Sequence, residues 1–263
     1  YVQEGLVLHL DGIRNKGADR PHDGNMIYSW RDLSWRRGCA NIIERMPCDS
    51  EWLDDGYYFA GSNYVQTAES FSIGTNLTAE MLCEVDNSVQ KATYPTYFSG
   101  YWNDAFVVFT RNRTGTTLEW KQDEFAGGTR PKAANWKGRN FSATLSDTAS
   151  ILYEDGAAKV TQARARVVRF NPTPWRLMDN GCDWLLGDNV ANPVYNHNAI
   201  GTIHTARLYN RALTPEEQTG IDNMVTQVRG IAAGMTVAAM TPVDDAGNPF
   251  VDPETGEIIQ PLK

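Results

Sequence analysis

Acidic residues that share one face of a strand are the first candidates for chemistry in this sequence. Alternate residues of a strand point to the same side, so Glu84 and Asp86 would lie side by side. Two carboxyl groups about 5–5.5 Å apart can hydrolyse a glycosidic bond with retention of configuration. The residues after Asp86 supply no third acid, and the acids within 119–124 lack the required spacing. We therefore expect solvated strand faces and no catalytic residue, which favours a protein that is not an enzyme.

Motifs for nucleophilic catalysis and for zinc are missing from the sequence. It contains no Gly-x-Ser-x-Gly pattern, its histidines have no ligand spacing, and its cysteines form no Cys-x-x-Cys pair. Cys39 and Cys48 are close enough to form a disulfide across a loop, and burial as thiols is the alternative. His204 is expected to point outward from a strand. The residues concerned are His9, His22, His197, His204, Cys39, Cys48, Cys83 and Cys182.

Aromatic rings flanked by Asn and Asp could bind the flat faces of sugar rings. Tyr101, Trp102 and Asn103 form such a group in a predicted turn, and Trp120 and Trp136 lie in polar surroundings. Large aromatic side chains are mostly buried, so packing in the core is the alternative for these rings. For Trp102 and Trp136 both interpretations stay open. Trp30, Trp52 and Trp184 are predicted to be structural.

The charge balance narrows the class of partner. The 263 residues include 32 acidic and 24 basic side chains, which gives a net charge of −8. An acidic surface repels a phosphate backbone, so nucleic acid is not an expected partner. No run of about 18 apolar residues occurs, so we predict no membrane-spanning helix and no membrane partner. The length suits one large β-sandwich.

Short strands separated by turn residues recur along the chain. Residues 5–11 alternate apolar and polar types, and 56–66 carry aromatic residues around a turn at 61–63. Within 77–86, Met81 and Cys83 fall on the predicted core face and Glu80 on the opposite, exposed face. Further strands are predicted at 104–110, 117–121, 141–145, 151–154, 164–170 and 184–187. Many short strands without β-α-β alternation predict an all-β fold, an antiparallel β-sandwich or jelly roll.

A helix start and a change of composition mark the C-terminal part. Thr214 is the predicted N-cap and Pro215 the first residue of one short helix that ends near residue 229. From residue 241 the sequence is acidic and broken by prolines. We therefore predict a sandwich domain over 1–240 and an extended tail or linker over 241–263. Apolar residues of the tail are predicted to contact a neighbouring subunit, namely Phe250, Val251, Ile258 and Ile259.

Five stretches, in this order, resemble the laminin-G-like jelly rolls of the concanavalin A-like lectin/glucanase superfamily. They are 5–12, the Trp30-Arg31-Asp32-Leu33-Ser34 turn, 56–65, 151–156 and 199–217. The family has a glycine after the Asp-Leu-Ser turn, whereas this chain has Trp35. The loops 123–140 and 170–184 also depart from the pattern. We expect a particular function to be built at such departures.

The resemblance also raises the question of calcium. Laminin-G-like domains often carry one ion at a loop rim, and oxygens for it could come from Asp179, Asp183, Asp188 and Asn189. No Asp-x-Asp-x-Asp-Gly motif is present, and Asp and Asn also serve as ordinary turn residues. We therefore expect no cofactor, with Ca²⁺ as the alternative.

The sequence thus predicts a non-catalytic surface recognition domain that binds glycans or mediates adhesion. A structural virion protein, such as a head fibre, a tail fibre or a capsid decoration, is the alternative, and a glycoside hydrolase is the third. The expected partner is a glycan or another cell-surface ligand, and the tail adds homo-oligomer or virion subunits as partners. The expected location is extracellular, on a cell surface or on a virion surface. The fold family supplies the class of function and does not identify the ligand.

Overall fold

A computed structural model describes most of the chain up to residue 218. The described residues are 2–12, 28–36, 38–44, 49–53, 55–85, 90, 95–100, 107–111, 117–122, 132–134, 140–164, 172–179, 185–186, 194–195 and 198–218. The strands, in chain order, are β1 Leu6–Asp11, β2 Tyr28–Arg31, β3 Cys39–Glu44, β4 Glu51–Trp52, β5 Tyr57–Ala60, β6 Asn63–Thr67, β7 Leu77–Glu84, β8 Thr96–Gly100, β9 Val107–Arg111, β10 Thr117–Gln122, β11 Lys132–Ala134, β12 Asn140–Leu145, β13 Ala149–Glu154, β14 Ala157–Ala163, β15 Trp175–Leu177, β16 Leu185–Leu186, β17 Val194–Tyr195 and β18 Ile200–Tyr209.

Two large antiparallel sheets contain all of these strands except β16 and β17, which pair with each other in a separate small sheet. The first sheet has the order β14-β13-β12-β7-β18-β5-β4, and β1 also pairs with β18. The second sheet has the order β11-β10-β9-β8-β15-β6-β3-β2. Because β18 is ten residues long, its first residues pair with β5 and its last with β1, along the same edge. Consecutive strands in the chain often lie in different sheets, which is the connectivity of a sandwich.

The core lies between the two sheets. One continuous cluster of buried apolar side chains draws residues from both of them. Phe141 of the first sheet meets Tyr97 of the second at a ring-centroid distance of 5.9 Å. Trp30 of the second sheet meets Trp52 of the first edge to face at 5.0 Å. The predicted all-β antiparallel sandwich is therefore confirmed.

Most of the predicted strands and turns are present. The segment 56–66 forms β5 and β6 around its predicted turn, and these two strands lie in different sheets. Gly61 in this turn has φ +93°, a backbone conformation that residues other than glycine rarely adopt. In the hairpin between β13 and β14, Asp155 and Gly156 both have positive φ, as a tight two-residue turn requires. The strand predicted at 164–170 falls almost entirely outside the described residues.

The interpretation of β7 was correct for one face and wrong for the other. Met81 and Cys83 lie in the core, as predicted, at 0% and 1% exposure. Glu80 was expected on an exposed face, yet it is only 2% exposed. Its carboxylate lies 3.0 Å from the Nη1 atom of Arg207 on the adjacent strand β18. The reason is that β7 is a central strand whose outer face is also covered, so the acid is buried with a compensating charge.

His204 was also expected to point outward, and the structure places it in a largely buried position. It is 7% exposed, and its Nδ1 lies 2.9 Å from the carbonyl oxygen of Asp55. The carboxylate of Asp55 lies 3.3 Å from the same nitrogen. The ring therefore connects β18 to the segment that precedes β5.

The helix begins where the sequence predicts it. Residues 215–218 are helical, Glu217 N–H donates to the Thr214 hydroxyl at 3.3 Å, and Thr214 N–H donates to the Glu217 carboxylate at 2.8 Å. This reciprocal arrangement is a capping box.

The rest of the predicted helix and the tail, including Phe250, Val251, Ile258 and Ile259, lie outside the described residues. The chain divides into two compact units, Tyr1–Asp222 and Asn223–Lys263, and the described residues belong to the first. Within the described residues, no helix is long and apolar enough to cross a membrane.

Candidate functional site

The structure tests only one of the aromatic residues predicted to bind sugar. Trp120 is 0% exposed and belongs to the core cluster, so its ring presents no accessible face and the sugar-binding prediction is wrong for this residue. Trp120 lies on β10 two residues after the buried Leu118, so the two side chains lie on the same, inward face of the strand. Tyr101, Trp102, Asn103 and Trp136 lie outside the described residues, and their role remains a prediction.

The acidic pairs considered for catalysis are only partly visible. Glu84 ends β7 and is exposed, while Asp86 and the acids at 123 and 124 lie outside the described residues. The expectation that no catalytic residue is present therefore remains a prediction.

Asp179, the described member of the candidate calcium set, is engaged by an arginine. Its carboxylate oxygen Oδ2 accepts a hydrogen bond from Arg176 Nη1 at 2.8 Å, and both side chains are largely buried. The positive guanidinium at this carboxylate opposes a cation there. Asp183, Asp188 and Asn189 lie outside the described residues. Within the described part of the chain, no group of three or more His, Cys, Asp and Glu residues is arranged to hold a metal.

The Asp-Leu-Ser turn after β2 ties the two sheets together. The Asp32 carboxylate accepts hydrogen bonds from His9 N–H at 2.9 Å, from Ser34 N–H at 2.8 Å and from the Ser34 hydroxyl at 2.9 Å. Leu33 N–H donates to the His9 carbonyl at 2.8 Å. Since His9 lies on β1 of the first sheet and β2 lies in the second, the turn is held at a fixed position. Trp35 and Arg36, which follow Ser34, therefore extend from a turn that is fixed by hydrogen bonds.

Trp35 is the most exposed large apolar side chain among the described residues. It is 72% exposed, whereas Trp30, Trp120 and Trp175 are all at most 2% exposed. Its neighbour Leu33 is 36% exposed. Most of the Trp35 ring is therefore not packed against other parts of the chain. Its apolar surface is therefore available to a ligand.

A cleft of about 220 Å³ opens beside this turn. Its lining includes Asp32, Arg36, Cys39, Thr67, Glu69 and Phe71. The Arg36 guanidinium lies 4.3 Å from the centre of the Phe71 ring and 5.9 Å from that of Trp35, both within the range of a cation–π contact. Arg36 Nη2 also lies 3.3 Å from the Glu69 carboxylate. Arg36 therefore connects the exposed ring to the interior of the cleft.

The cleft combines an apolar surface with adjacent donors and acceptors. The lining provides guanidinium N–H donors from Arg36 and carboxylate oxygens from Glu69, whose side chain is 77% exposed. Trp35 is not a lining residue, and its flat ring lies beside the cleft next to Arg36. Asp32 is 4% exposed and is already engaged by its three hydrogen bonds, so its role is structural. Cys39 is a free cysteine of intermediate exposure at the cleft wall, and in the structure it is not part of the disulfide considered from the sequence. Such a combination suits a flat, polar ligand such as a sugar ring.

The sequence contained one sign of this site. Trp35 replaces the glycine that the resembling family has after the Asp-Leu-Ser turn, and that departure marked the position. The contribution of 67–71 could not be foreseen, because those residues join the cleft only through the pairing of β3 with β6.

Comparison with known proteins supports the fold. No family model matches the sequence, and no curated protein matches it. The binding domain of botulinum neurotoxin serotype G matches with a TM-score of 0.55 at 12% identity, over 93% of this chain and 54% of that one. The receptor binding domain of botulinum neurotoxin D matches with a TM-score of 0.54 at 10% identity, over 95% of this chain and 57% of that one.

Sialidases show a similar degree of likeness. Trypanosoma rangeli sialidase in complex with sialic acid matches with a TM-score of 0.54 at 14% identity, over 85% of this chain. This chain spans about a third of that sialidase, 33% of its length. At these identities the likeness shows the β-sandwich fold alone.

Proposed function

We propose that this domain is a non-catalytic carbohydrate-binding module that uses the cleft beside Trp35. The observation that carries the proposal is a tryptophan 72% exposed on a rigid turn, next to a cleft of about 220 Å³. A sugar ring has an apolar face of C–H groups and an edge of hydroxyls. In the proposed complex the apolar face rests on Trp35, and the hydroxyls reach Arg36 and Glu69.

The geometry supports a pre-formed site. The turn is held by Asp32, and the Arg36 guanidinium lies over the Phe71 ring and 5.9 Å from the centre of the Trp35 ring. A ligand therefore pays little to order these side chains, which favours binding. Two structural neighbours, a binding domain and a receptor binding domain of botulinum neurotoxins, are consistent with recognition as a role for this fold. Recognition of a surface glycan would place the protein outside the cell, on a cell surface or on a virion surface.

A mutation pair tests the proposal. Immobilised oligosaccharides of glucose, galactose and mannose are screened with the full chain, and the strongest ligand is titrated by calorimetry. Trp35→Ala should weaken binding at least tenfold, because stacking on an aromatic ring is lost, while Trp35→Tyr should retain most of the affinity. Leu33→Ala removes an exposed apolar side chain from the same turn and serves as the matched control. Equal affinity of Trp35→Ala and the unmodified chain would reject the site.

The non-catalytic part of the proposal is tested separately. Sialidases, which are enzymes, are among the structural neighbours, so hydrolysis has to be measured directly. Incubation with the same oligosaccharides should release no reducing sugar above the buffer control. Release that Glu84→Gln abolishes would show a glycoside hydrolase instead.

A further inference from the structure

We propose that the cleft selects neutral saccharides and that Glu69 is the residue that excludes acidic ones. This inference rests on the proposed carbohydrate site and adds the charge of the ligand. It follows from the contacts that Arg36, the single arginine of the described cleft lining, already makes with Glu69 and Phe71.

Arg36 is the only cationic side chain among the described residues that line the cleft. Its guanidinium lies over the ring of Phe71, its side chain is 23% exposed, and its Nη2 lies 3.3 Å from the Glu69 carboxylate. A carboxylate on a ligand would have to displace Glu69 from this position or accept the repulsion of a like charge. The arginine is therefore not an open anion site.

The charges of the cleft lining point the same way. Asp32 and Glu69 are acidic and Arg36 is basic, so these three side chains carry a net charge of −1 in a chain of net charge −8. Asp32 contributes its charge although its oxygens already accept hydrogen bonds. An anionic saccharide would meet an unfavourable potential both on approach and in the cleft.

A neutral saccharide meets no such conflict. Adjacent hydroxyls both donate and accept, so one can donate to the Glu69 carboxylate while its neighbour accepts from the Arg36 guanidinium. Both members of the ion pair then gain a hydrogen bond without losing each other. Because the Glu69 side chain is 77% exposed, its carboxylate remains accessible to a ligand hydroxyl beside Arg36.

The test uses saccharides that differ only in charge. Galactose, glucose and mannose trimers are compared with trimers of the corresponding uronic acids, in which a carboxylate replaces the hydroxymethyl group. Binding is measured by calorimetry at low ionic strength. The unmodified chain should bind at least one neutral trimer at least tenfold more tightly than its uronic acid counterpart. Glu69→Gln should reduce this preference several-fold, because Arg36 becomes available to the ligand carboxylate.

The control separates a local effect from a change of net charge. Glu51→Gln removes the same charge from an exposed position on β4 and should leave the preference unchanged. Tighter binding of the uronic acid trimers by the unmodified chain would overturn the inference, as would an equal response to Glu69→Gln and Glu51→Gln. If either of these two results is obtained while Trp35→Ala still weakens binding, the charge selectivity is rejected and the proposed carbohydrate-binding function is retained. Absence of binding to every trimer would reject both.

Discussion

The ion pair between Glu80 and Arg207 shows how single residues set the stability of this domain. Both side chains are nearly inaccessible, and Glu80 accepts from Arg207 Nη1 with its two oxygens at 3.2 and 3.0 Å. Desolvating two charges is expensive, so the pair adds little compared with apolar residues of the same size. Removing one partner is different, because the other charge is left buried.

We therefore expect Glu80→Ala to reduce the free energy of unfolding by about 3–5 kcal/mol. Met81→Ala, on the core face of the same strand, is expected to cost about 2–5 kcal/mol. Glu51→Ala is the control at an exposed strand position and should stay within about 0.5 kcal/mol of the unmodified chain. Urea denaturation of the three variants measures these differences. A cost for Glu80→Ala no larger than that of the control would show that the outer face of β7 is open to water.

At the scale of elements, the closing strand and the helix start are held by one arginine. Arg211, just after β18, donates from Nη1 and Nη2 to the two carboxylate oxygens of Glu217 at 2.9 and 2.6 Å. The hydrogen bond from Arg211, together with that from the Thr214 backbone, lowers the pKa of Glu217 to about 2. The capping box and this ion pair therefore share the same carboxylate.

The pH dependence of stability follows from this pKa. Because the folded state has the lower pKa, Glu217 stabilises the fold fully above its usual value of 4.5, and the contribution is lost as the pH falls toward about 2. The stability difference between the unmodified chain and Glu217→Gln should therefore shrink as the pH is lowered from 6 to about 2.5. Thermal melts at each pH measure it. Since the pair is partly exposed, added salt should also reduce the difference. A difference that stays constant over this range would contradict the assigned role.

Alternation of apolar residues predicted several strands, but β3 and β8 were missed although they bury apolar side chains, and the exposed β14 was missed as well. Strands such as β1 and β7 were predicted from their alternating apolar residues, and the helix start was predicted from Thr214 and Pro215. β14 was not predicted, because it is an edge strand whose residues are mostly exposed and which is held mainly by backbone pairing to β13. The burial of Glu80 was missed for a related reason. Alternation assigns the faces of a strand and does not tell whether the outer face is covered.

At the scale of the whole molecule, the candidate site lies where the two sheets are joined. The Asp32 turn connects β2 of one sheet to β1 of the other, and the cleft wall at 67–71 follows β6. The sequence marked Trp35 as a departure from the family pattern, but the neighbours of that residue depend on long-range strand pairing. This is why the turn was predictable and the cleft was not.

The C-terminal tail carries the prediction that concerns assembly. Removal of 241–263 is expected to leave the melting temperature of the sandwich nearly unchanged and to weaken self-association. Phe250→Ala is expected to cause much of the same loss, since one aromatic anchor often dominates such an interface. Thermal melting and light scattering of both variants measure the two effects. A large fall in melting temperature without a change in association would show that the tail belongs to the core of the domain.

The central claim is that a saccharide binds on Trp35. Tryptophan side chains give separate indole N–H signals in a ¹⁵N correlation spectrum, and Trp35→Phe identifies the signal of Trp35. Titration with the strongest saccharide should shift that signal in a saturable manner and leave the signals of the buried Trp30, Trp120 and Trp175 nearly unchanged. Saturable shifts of other indole signals, with that of Trp35 unmoved, would contradict the claim.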